Sequence, residues 1–226
     1  SPLLSNIMLN ELDKELERRG LPFVRYADDS MIFCKSKRAA MRVKESITRF
    51  IENVLYLKVN KEKTVVSYVR GVKYLGYSFY VMKGKCQLTV HPKSKARMKS
   101  RLKELTSRSN GWGYAKRKQK LKEYIRGWVG YYHLANMKRL LHETDEWLRR
   151  RIRMCIWKAW KRVKTKVANL IRCGINKYQA YEWGNTRKGY WRIADSPILK
   201  RAIDNNNLCS AGYATLMGSY LEWHPK

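Results

Sequence analysis

The first ninety residues alternate between helical and strand-like patterns of apolar positions. Residues 1–19 place apolar side chains on one helical face, at Leu4, Ile7, Met8, Leu12 and Leu16. Ser1 is the predicted N-cap, Pro2 suits the first turn, and Gly20 and Pro22 end the helix. Residues 37–53 return to the same spacing. The pattern therefore predicts two amphipathic helices separated by about one hairpin's length of chain.

Short β-prone runs fill the rest of this region. FVRYA and SMIFC flank the pair Asp28-Asp29 and predict a β-hairpin. Four more runs, LKVN, TVVSYV, VKYLGYSFYVM and KCQLTV, follow between charged or glycine-containing turns. Strands after helices with short connections indicate an α+β fold with mostly antiparallel pairing.

The pattern changes at His91-Pro92, after which the strand signal disappears. Helical spacing runs over residues 93–107, 114–137 and 139–168, and shorter helical segments with Gly and Asn breaks follow. The sequence therefore predicts two domains, an α+β domain over residues 1–90 and an all-helical domain over residues 91–226.

The charge of the chain narrows the class of partner. The formal net charge is +31, and residues 93–172 hold 25 Lys and Arg against 5 Asp and Glu. Such an excess favours a polyanionic partner, nucleic acid first and an anionic membrane second. No apolar run is long enough to span a bilayer. The five cysteines are scattered and the four histidines lack ligand spacing, so we predict no zinc site.

Two adjacent carboxylates in so basic a chain need an explanation. Carboxylates in contact repel, and a shared proton or a cation relieves the repulsion. Mg²⁺ fits acids at a tight turn near a phosphate-binding surface, because it accepts a few carboxylates together with phosphate oxygens. Acids that clamp two metal ions serve phosphoryl transfer. The alternative is that Asp28 and Asp29 form a solvated turn, for which Asp is well suited.

The hairpin and its surroundings resemble the reverse-transcriptase palm. Tyr26-Ala27-Asp28-Asp29 matches the metal-binding hairpin of that family, and the helix opening SPLLSNI precedes it. LKVNKEKT and Tyr74-Leu75-Gly76-Tyr77 resemble the two motifs that follow in the same order. The resemblance implies that Asp28 and Asp29 are catalytic and bind Mg²⁺. It also implies contacts with dNTP or primer, made by Tyr26, Ala27, Lys63, Leu75 and Gly76.

Two of these contacts have simpler interpretations. Lys63 is also explained as a solvated charge between strands, and Gly76 as a close backbone approach or a bulge. The family's third metal-binding acid lies on an earlier strand and has no counterpart here. The sequence begins Ser-Pro without a methionine, so we expect the distal part of a longer polypeptide and, for this part alone, no polymerase activity.

Residues 91 to about 220 resemble the maturase-specific domain, also called X or thumb, of group II intron reverse transcriptases. The matching stretches are HPKSKARMKSRLKEL, YIRGWVGYYHLANM, WLRRRIRMCIWKAWKR and AYEWGNTRKGYWRIADSPILKRAI. The resemblance implies a helical thumb that holds template–primer and docks on intron RNA, in a bacterial cytoplasm. Candidate RNA contacts follow from charge: Lys93, Lys95, Arg97, Lys99, Arg101, Lys116, Arg117, Lys118, Lys120, Arg149, Arg150, Arg151 and Arg153.

These patterns support one main interpretation and two alternatives. The main one is an RNA-directed DNA polymerase and maturase that assists splicing of its intron and copies RNA into DNA for intron mobility. The first alternative is an RNA-binding splicing factor without polymerase activity. Loss of the YADD motif would indicate this alternative, and its presence favours the polymerase. The second is a basic RNA-binding protein without chemistry, for which the ordered motifs would be accidental.

Overall fold

A computed structural model of the chain describes residues 2–225, and the predicted N-cap Ser1 lies outside the described residues. The chain divides into two compact units, Ser1–Gln87 and Leu88–Lys226. The division falls a few residues before His91-Pro92, where the sequence pattern changes.

The first unit combines two long helices with short antiparallel strands, so the predicted α+β fold is confirmed. Strands β1 and β2 form one hairpin, and β3, β4 and β5 form a three-stranded sheet in that order. The elements are α1 (Pro2–Arg18), β1 (Phe23–Tyr26), β2 (Asp29–Ile32), α2 (Lys37–Asn53), a 3₁₀ turn (Val69–Gly71), β3 (Lys73–Tyr74), β4 (Tyr77–Met82) and β5 (Lys85–Val90), and the boundary between the two units falls within β5.

The core of this unit lies where α1, α2 and the first hairpin meet. Leu12, Leu16 and Ile47 are buried there, and Phe23 and Ile32 of the hairpin pack against them. The predicted apolar face of α1 is buried only in its C-terminal half. Its N-terminal half is exposed, at Leu4, Ile7 and Met8.

Two predicted strands, LKVN and TVVSYV, are wrong. Residues 57–68 contain no strand and instead form a local turn. The Asn60 side chain accepts a hydrogen bond from the Lys63 backbone N–H, and the Thr64 hydroxyl donates to the Asn60 carbonyl oxygen. These bonds engage backbone groups that a strand would need for pairing. Val65 is 72% exposed, so burial adds no driving force for a strand there.

The second unit is helical beyond the end of β5. Its central helix is α5, which packs against α3, α8 and α11, while α4 packs against α3 and α11. The helices are α3 (Pro92–Leu105), α4 (Tyr114–Tyr132), α5 (Lys138–Ala159), α6 (Val163–Arg172), α7 (Lys177–Gly184), α8 (Tyr190–Ile193), α9 (Pro197–Ala202), α10 (Asn205–Ser210) and α11 (Leu216–Trp223). No described helix is both long enough and apolar enough to cross a membrane.

The single helix predicted over residues 139–168 is two helices. The backbone of Trp160 leaves the helical region, with φ −78° and ψ 58°, and α6 begins three residues later. Trp160 packs on Trp157 with ring centroids 5.8 Å apart, and α6 packs against α7. Both segments have helical periodicity, so the break was not visible in the pattern of apolar positions.

A buried carboxylate joins two distant helices of the second unit. Asp145 of α5 is 3% exposed and accepts hydrogen bonds from the backbone N–H groups of Leu216 and Met217, both at 2.9 Å. These N–H groups open α11, where a helix has no internal acceptors for them. Burial raises the pKa of Asp145, while the two backbone hydrogen bonds oppose that shift.

Candidate nucleic-acid and metal site

The two adjacent acids lie at the turn of the first hairpin. The register pairs Tyr26 with Asp29, so Ala27 and Asp28 form the turn and Asp29 opens β2. Ala27 has φ +53°, in the left-handed region that non-glycine residues rarely occupy. Asp28 and Asp29 are both exposed. The hairpin is as tight as the sequence predicts, and both carboxylates have access to solvent.

The two faces of the hairpin have different environments. Directly paired residues share a face, so Asp29 lies on the face of Tyr26 and not on the face of Arg25. Tyr26 is 65% exposed, whereas Phe23, on the opposite face, packs against the core. Alternation along β1 therefore turns Tyr26 outward on the face that carries Asp29.

Arg25 connects the turn to α1. Its Nε and Nη2 donate to the two carboxylate oxygens of Asp13, at 2.8 and 2.5 Å. Its Nη1 donates to the carbonyl oxygen of Ala27 at 2.9 Å and to Asn6 Oδ1 at 3.0 Å. The guanidinium side chain is only 12% exposed, and the Asp13 carboxylate raises the pKa of Arg25. One side chain thus holds the turn at a set position on the helix.

Tyr74 of β3 reaches the same turn from the second sheet. Its hydroxyl donates to the carbonyl oxygen of Asp29 at 3.5 Å, the long limit for a hydrogen bond. Burial raises the pKa of Tyr74, and the negative charge of Asp29 raises it further. The Tyr74 hydroxyl therefore lies near the Asp29 carboxylate.

The other predicted nucleotide and primer contacts lie on two turns. Leu75 and Gly76 form the tight turn between β3 and β4, with φ +48° and +81° as a type I′ turn requires. Lys63 is exposed on the turn that Asn60 caps. The structure links Tyr74, the neighbour of Leu75, to the acidic turn, and it gives no contact between Lys63 and either acid.

The donor set at the acidic turn suits a hard divalent cation. Carboxylate oxygens are the protein ligands that Mg²⁺ accepts, and both acids are exposed. Within residues 2–225, however, no group of three or more His, Cys, Asp or Glu side chains could hold a metal ion. Two acids alone could fill only part of a coordination shell.

The candidate RNA contacts on α3 form an exposed basic surface. Lys93, Arg97, Lys99 and Arg101 are exposed and Lys95 is half-buried, while Met98 and Leu102 face the core. Arg101 pairs with Glu104 at 2.7 Å. The side chains of the other four make no hydrogen bond or ion pair with any described residue, so their charge is available to a phosphate.

The candidates on α4 divide between exposed and structural positions. Lys116 lies over the Trp112 ring at 5.5 Å and Lys120 pairs with Glu123 at 2.8 Å, and both are exposed. Arg117 is buried and donates to Asn110 Oδ1 at 3.0 Å. Lys118 Nζ donates to the carbonyl oxygen of Ala211, just beyond α10, at 2.7 Å.

Three of the four candidate arginines on α5 bind carbonyl groups at the ends of other helices. Arg151 donates to the carbonyl oxygens of Lys103 and Thr106 at the end of α3, at 3.0 and 3.2 Å. Buried Arg153 reaches Ala194 and Ile203, which follow α8 and α9, both at 3.2 Å.

Arg150 binds the carbonyl oxygen of Trp191 in α8 at 3.0 Å and also pairs with Asp195 at 3.2 Å. A cation at a helix C-terminus satisfies carbonyls that lack partners and complements the helix dipole. Arg149 is half-buried and makes no such bond to a described residue.

Sequence reasoning missed the partners that position these residues. Arg25 lies two residues after Phe23 on the same inward face of β1, and a charge at an inward strand position implies a facing acid. That signal indicates a partner acid but does not say that it is Asp13 of α1. The hydrogen bonds from Arg151 and Arg153 to helix ends could not be predicted from the local sequence, because the carbonyl acceptors lie 41 to 50 residues away in the chain.

The comparisons with known proteins agree with this arrangement. Residues 1–79 match the family model of the reverse transcriptase (RNA-dependent DNA polymerase), and residues 95–174 match the model of the group II intron maturase-specific domain. A search of curated proteins found no match. Together, the two ranges cover most of the chain.

The fold and the acidic turn therefore define a nucleic-acid polymerase segment joined to an RNA-binding helical segment. The chain belongs to the reverse transcriptase and maturase family encoded by group II introns. Its partners are accordingly intron RNA and a template–primer.

Proposed function

We propose that this chain takes part in RNA-directed DNA synthesis through Asp28 and Asp29, and in splicing of its intron through the basic helices that follow. The observation that carries the proposal is the exposed acidic turn, which Arg25 anchors to α1 at the carbonyl of Ala27. An exposed pair of acids on a braced turn suits metal binding better than a solvated loop does.

Mg²⁺ is the cofactor that this donor set fits. Asp28 and Asp29 would hold it, and the ion would supply positive charge to the phosphate oxygens of an incoming dNTP. The two acids need at least one further ligand, since no third metal-ligating side chain stands with them among the described residues. We therefore expect weak metal binding and no DNA synthesis from this chain alone.

The remaining nucleotide contacts stay predictions. The Lys63 side chain is exposed and makes no ion pair with a described residue, which leaves its charge available to a phosphate. Tyr26 presents an exposed ring on the face of Asp29, and Ala27 is part of the acidic turn. The backbone turn at Leu75-Gly76 is the proposed primer contact. Bacterial cytoplasmic location also stays a prediction from the resemblance.

A metal titration tests the role of the acidic turn. Mn²⁺, a paramagnetic substitute for Mg²⁺, is added to the chain and free ion is followed by electron paramagnetic resonance. We expect weak binding that disappears in Asp28→Asn plus Asp29→Asn. Glu62→Gln removes an exposed acid from the turn that Asn60 caps and serves as the control, with binding unchanged. Equal binding by all three proteins would overturn the metal role.

A salt titration tests the basic helices. A protein that neutralises several phosphates loses roughly 10³–10⁵ in affinity between 50 and 200 mM salt. Filter binding of structured intron RNA should follow that dependence. An affinity that stays flat over the range would remove the electrostatic part of the proposal.

Splicing and primer extension separate the polymerase from a pure splicing factor. In the polymerase that contains this chain, Asp28→Ala plus Asp29→Ala should abolish cDNA synthesis and leave splicing assistance largely intact. Metal ligands stabilise charge at the reacting phosphates, and no described neighbour replaces them. Equal loss of both activities in a folded variant would mean that the acids are structural.

A further inference from the structure

The helical hairpin of α6 and α7 presents two tyrosines to solvent. The helices pack closely at Gly184, where an added Cβ would lie 2.6 Å from Val167 Cγ2. Ala180, one turn earlier on α7, is buried, as are Val167 and Leu170 of α6. This packing fixes which side of α7 faces α6, and so it fixes which side faces outward.

Tyr178 and Tyr181 lie on the outward side. The rings are 81% and 53% exposed, and residues three apart on a helix are neighbours on one face. Neither tyrosine makes a side-chain hydrogen bond or a ring contact with another described residue. Two neighbouring uncovered aromatic rings leave apolar area in water, and the packing of α7 does not require them.

The segment around these rings is strongly cationic. Residues 161–188 hold eight Lys and Arg against one acid, Glu182. Two of the cations lie over tryptophan rings: Lys166 over Trp157 at 4.9 Å and Lys188 over Trp183 at 4.8 Å. The other six are exposed and make no ion pair within the described part of the chain: Lys161, Arg162, Lys164, Arg172, Lys177 and Arg187.

We propose that Tyr178 and Tyr181 form a stacking platform for unpaired bases of single-stranded RNA. The inference rests on the proposed function for the identity of the nucleic acid, and α7 lies beyond both matched ranges. Aromatic side chains stack on bases that are splayed out of a helix, while surrounding cations track the phosphates. A duplex keeps its bases stacked inside, so it offers nothing to these rings.

The positive charge and the exposed aromatic rings together favour single-stranded RNA over a protein partner. A protein partner would use the exposed apolar area but would need an acidic surface as well, and its binding would not depend on unpaired bases. Stacking on tyrosine tolerates any base, because every base has a π face. The platform therefore binds unpaired RNA with little sequence preference, and single-stranded DNA offers it the same bases.

The test measures fluorescence anisotropy of a labelled twelve-nucleotide oligouridylate with this chain at fixed salt. Stacking contributes about 1–3 kcal/mol per base by alanine substitution, so Tyr178→Ala plus Tyr181→Ala should weaken binding at least tenfold. The slope of affinity against salt should stay unchanged, because no charge is removed. Phenylalanine at both positions should restore binding, since stacking does not need the hydroxyl.

A matched control uses two tyrosines that are at least as exposed and lie outside the cationic segment. Tyr56 and Tyr68 are 87% and 81% exposed, and their alanine variants should bind oligouridylate as the parent does. Circular dichroism melting verifies the fold. If the double variant melts early, the single Tyr178→Ala variant, which removes the more exposed ring, gives the same comparison.

The outcomes distinguish this inference from the proposed function. Steep salt dependence with unchanged affinity in the Tyr178 and Tyr181 variant overturns the platform alone. Equal losses for oligouridylate and for a blunt RNA duplex overturn it too, because a duplex has no unpaired bases. A chain that binds no RNA at any salt concentration overturns the proposed function itself.

Discussion

The guanidinium of Arg25 donates a hydrogen bond of 2.9 Å to the carbonyl oxygen of Ala27, two residues further along the same hairpin. The same side chain forms a two-bond ion pair with Asp13 of α1. Ala27 occupies a left-handed conformation that a short turn needs and an alanine disfavours. Arg25 therefore joins the helix to the turn that carries Asp28 and Asp29.

Replacing Arg25 should loosen this turn. Arg25→Ala leaves Asp13 without its cation, and loss of charged hydrogen bonds costs about 1.5–3 kcal/mol in free energy of unfolding. Urea unfolding measures the change, and hydrogen exchange at the hairpin amides should rise with it. Arg18→Ala is the control, because the Arg18 side chain is 71% exposed and its pair with Glu15 should matter little. Similar stability of the two variants would contradict the anchoring role.

Glycine should be accepted at position 27. A left-handed alanine costs about 1–2 kcal/mol, and glycine removes that strain from the folded state. Glycine also gives the unfolded chain more conformational freedom, which offsets part of the stabilisation. Ala27→Gly should thus change stability by about +0.5 to +1 kcal/mol and keep the Arg25 hydrogen bond, which uses the backbone carbonyl. Urea unfolding decides the matter. A loss of more than about 1 kcal/mol would show that the alanine methyl group has a packing role.

Two arginines four residues apart on α5 should behave in opposite ways. Arg149→Gln should leave stability within about 0.5 kcal/mol and weaken RNA binding, with a shallower salt dependence. Arg153→Met should destabilise the chain by about 1–3 kcal/mol for each carbonyl left without its donor, because Arg153 is buried against Ala194 and Ile203. Thermal melting and filter binding on both variants provide the comparison. An unchanged melting temperature in Arg153→Met would show that the two carbonyl contacts do not stabilise the chain.

Asp145 should make stability depend on pH. Asp145→Ala removes the acceptor for two N–H groups of α11 and should cost about 0.5–2 kcal/mol. Burial raises the pKa of this carboxyl, so the folded state holds its proton more tightly than the unfolded state. The contribution of the Asp145 carboxyl to the free energy of unfolding is therefore complete below its pKa in the unfolded state. It declines as the pH rises through its pKa in the folded state.

Urea unfolding at pH 3.5 and at pH 7 tests that sign. The difference in unfolding free energy between the parent and Asp145→Ala should be larger at pH 3.5. Asp145→Asn, which does not titrate, should show the same pH slope against the parent. A difference that grows toward pH 7 would mean that the ionised carboxylate is the form that the fold prefers.

Local patterns predicted the elements that position the acids. Helices α1 and α2 have apolar stripes, and the hairpin has two β-prone runs around a turn of small and acidic residues. Each of these signals is contained within about twenty residues. The change to helical structure after β5 was predictable for the same reason, and so were the exposed cations along α3.

Patterns failed where a segment's neighbours decided its state. Residues 57–68 are β-prone, yet no strand among the described residues pairs with them, and Asn60 offers local hydrogen bonds instead. The long helical pattern from residue 139 is interrupted after Ala159, and the second segment, α6, packs against α7. Strand formation and helix length both depend on packing partners that propensity does not encode.

The sequence by itself determined the acidic turn, the antiparallel hairpins and the helical, cationic character of the second unit. Only the tertiary structure decided which cations remain for RNA, because Lys118, Arg151 and Arg153 bind carbonyls 41 to 93 residues away. It also decided that Asp13 holds Arg25 and that Tyr178 and Tyr181 face water. The physical reason is that a charge or an aromatic ring has the same local signature in every role, and its role depends on the groups that folding brings against it.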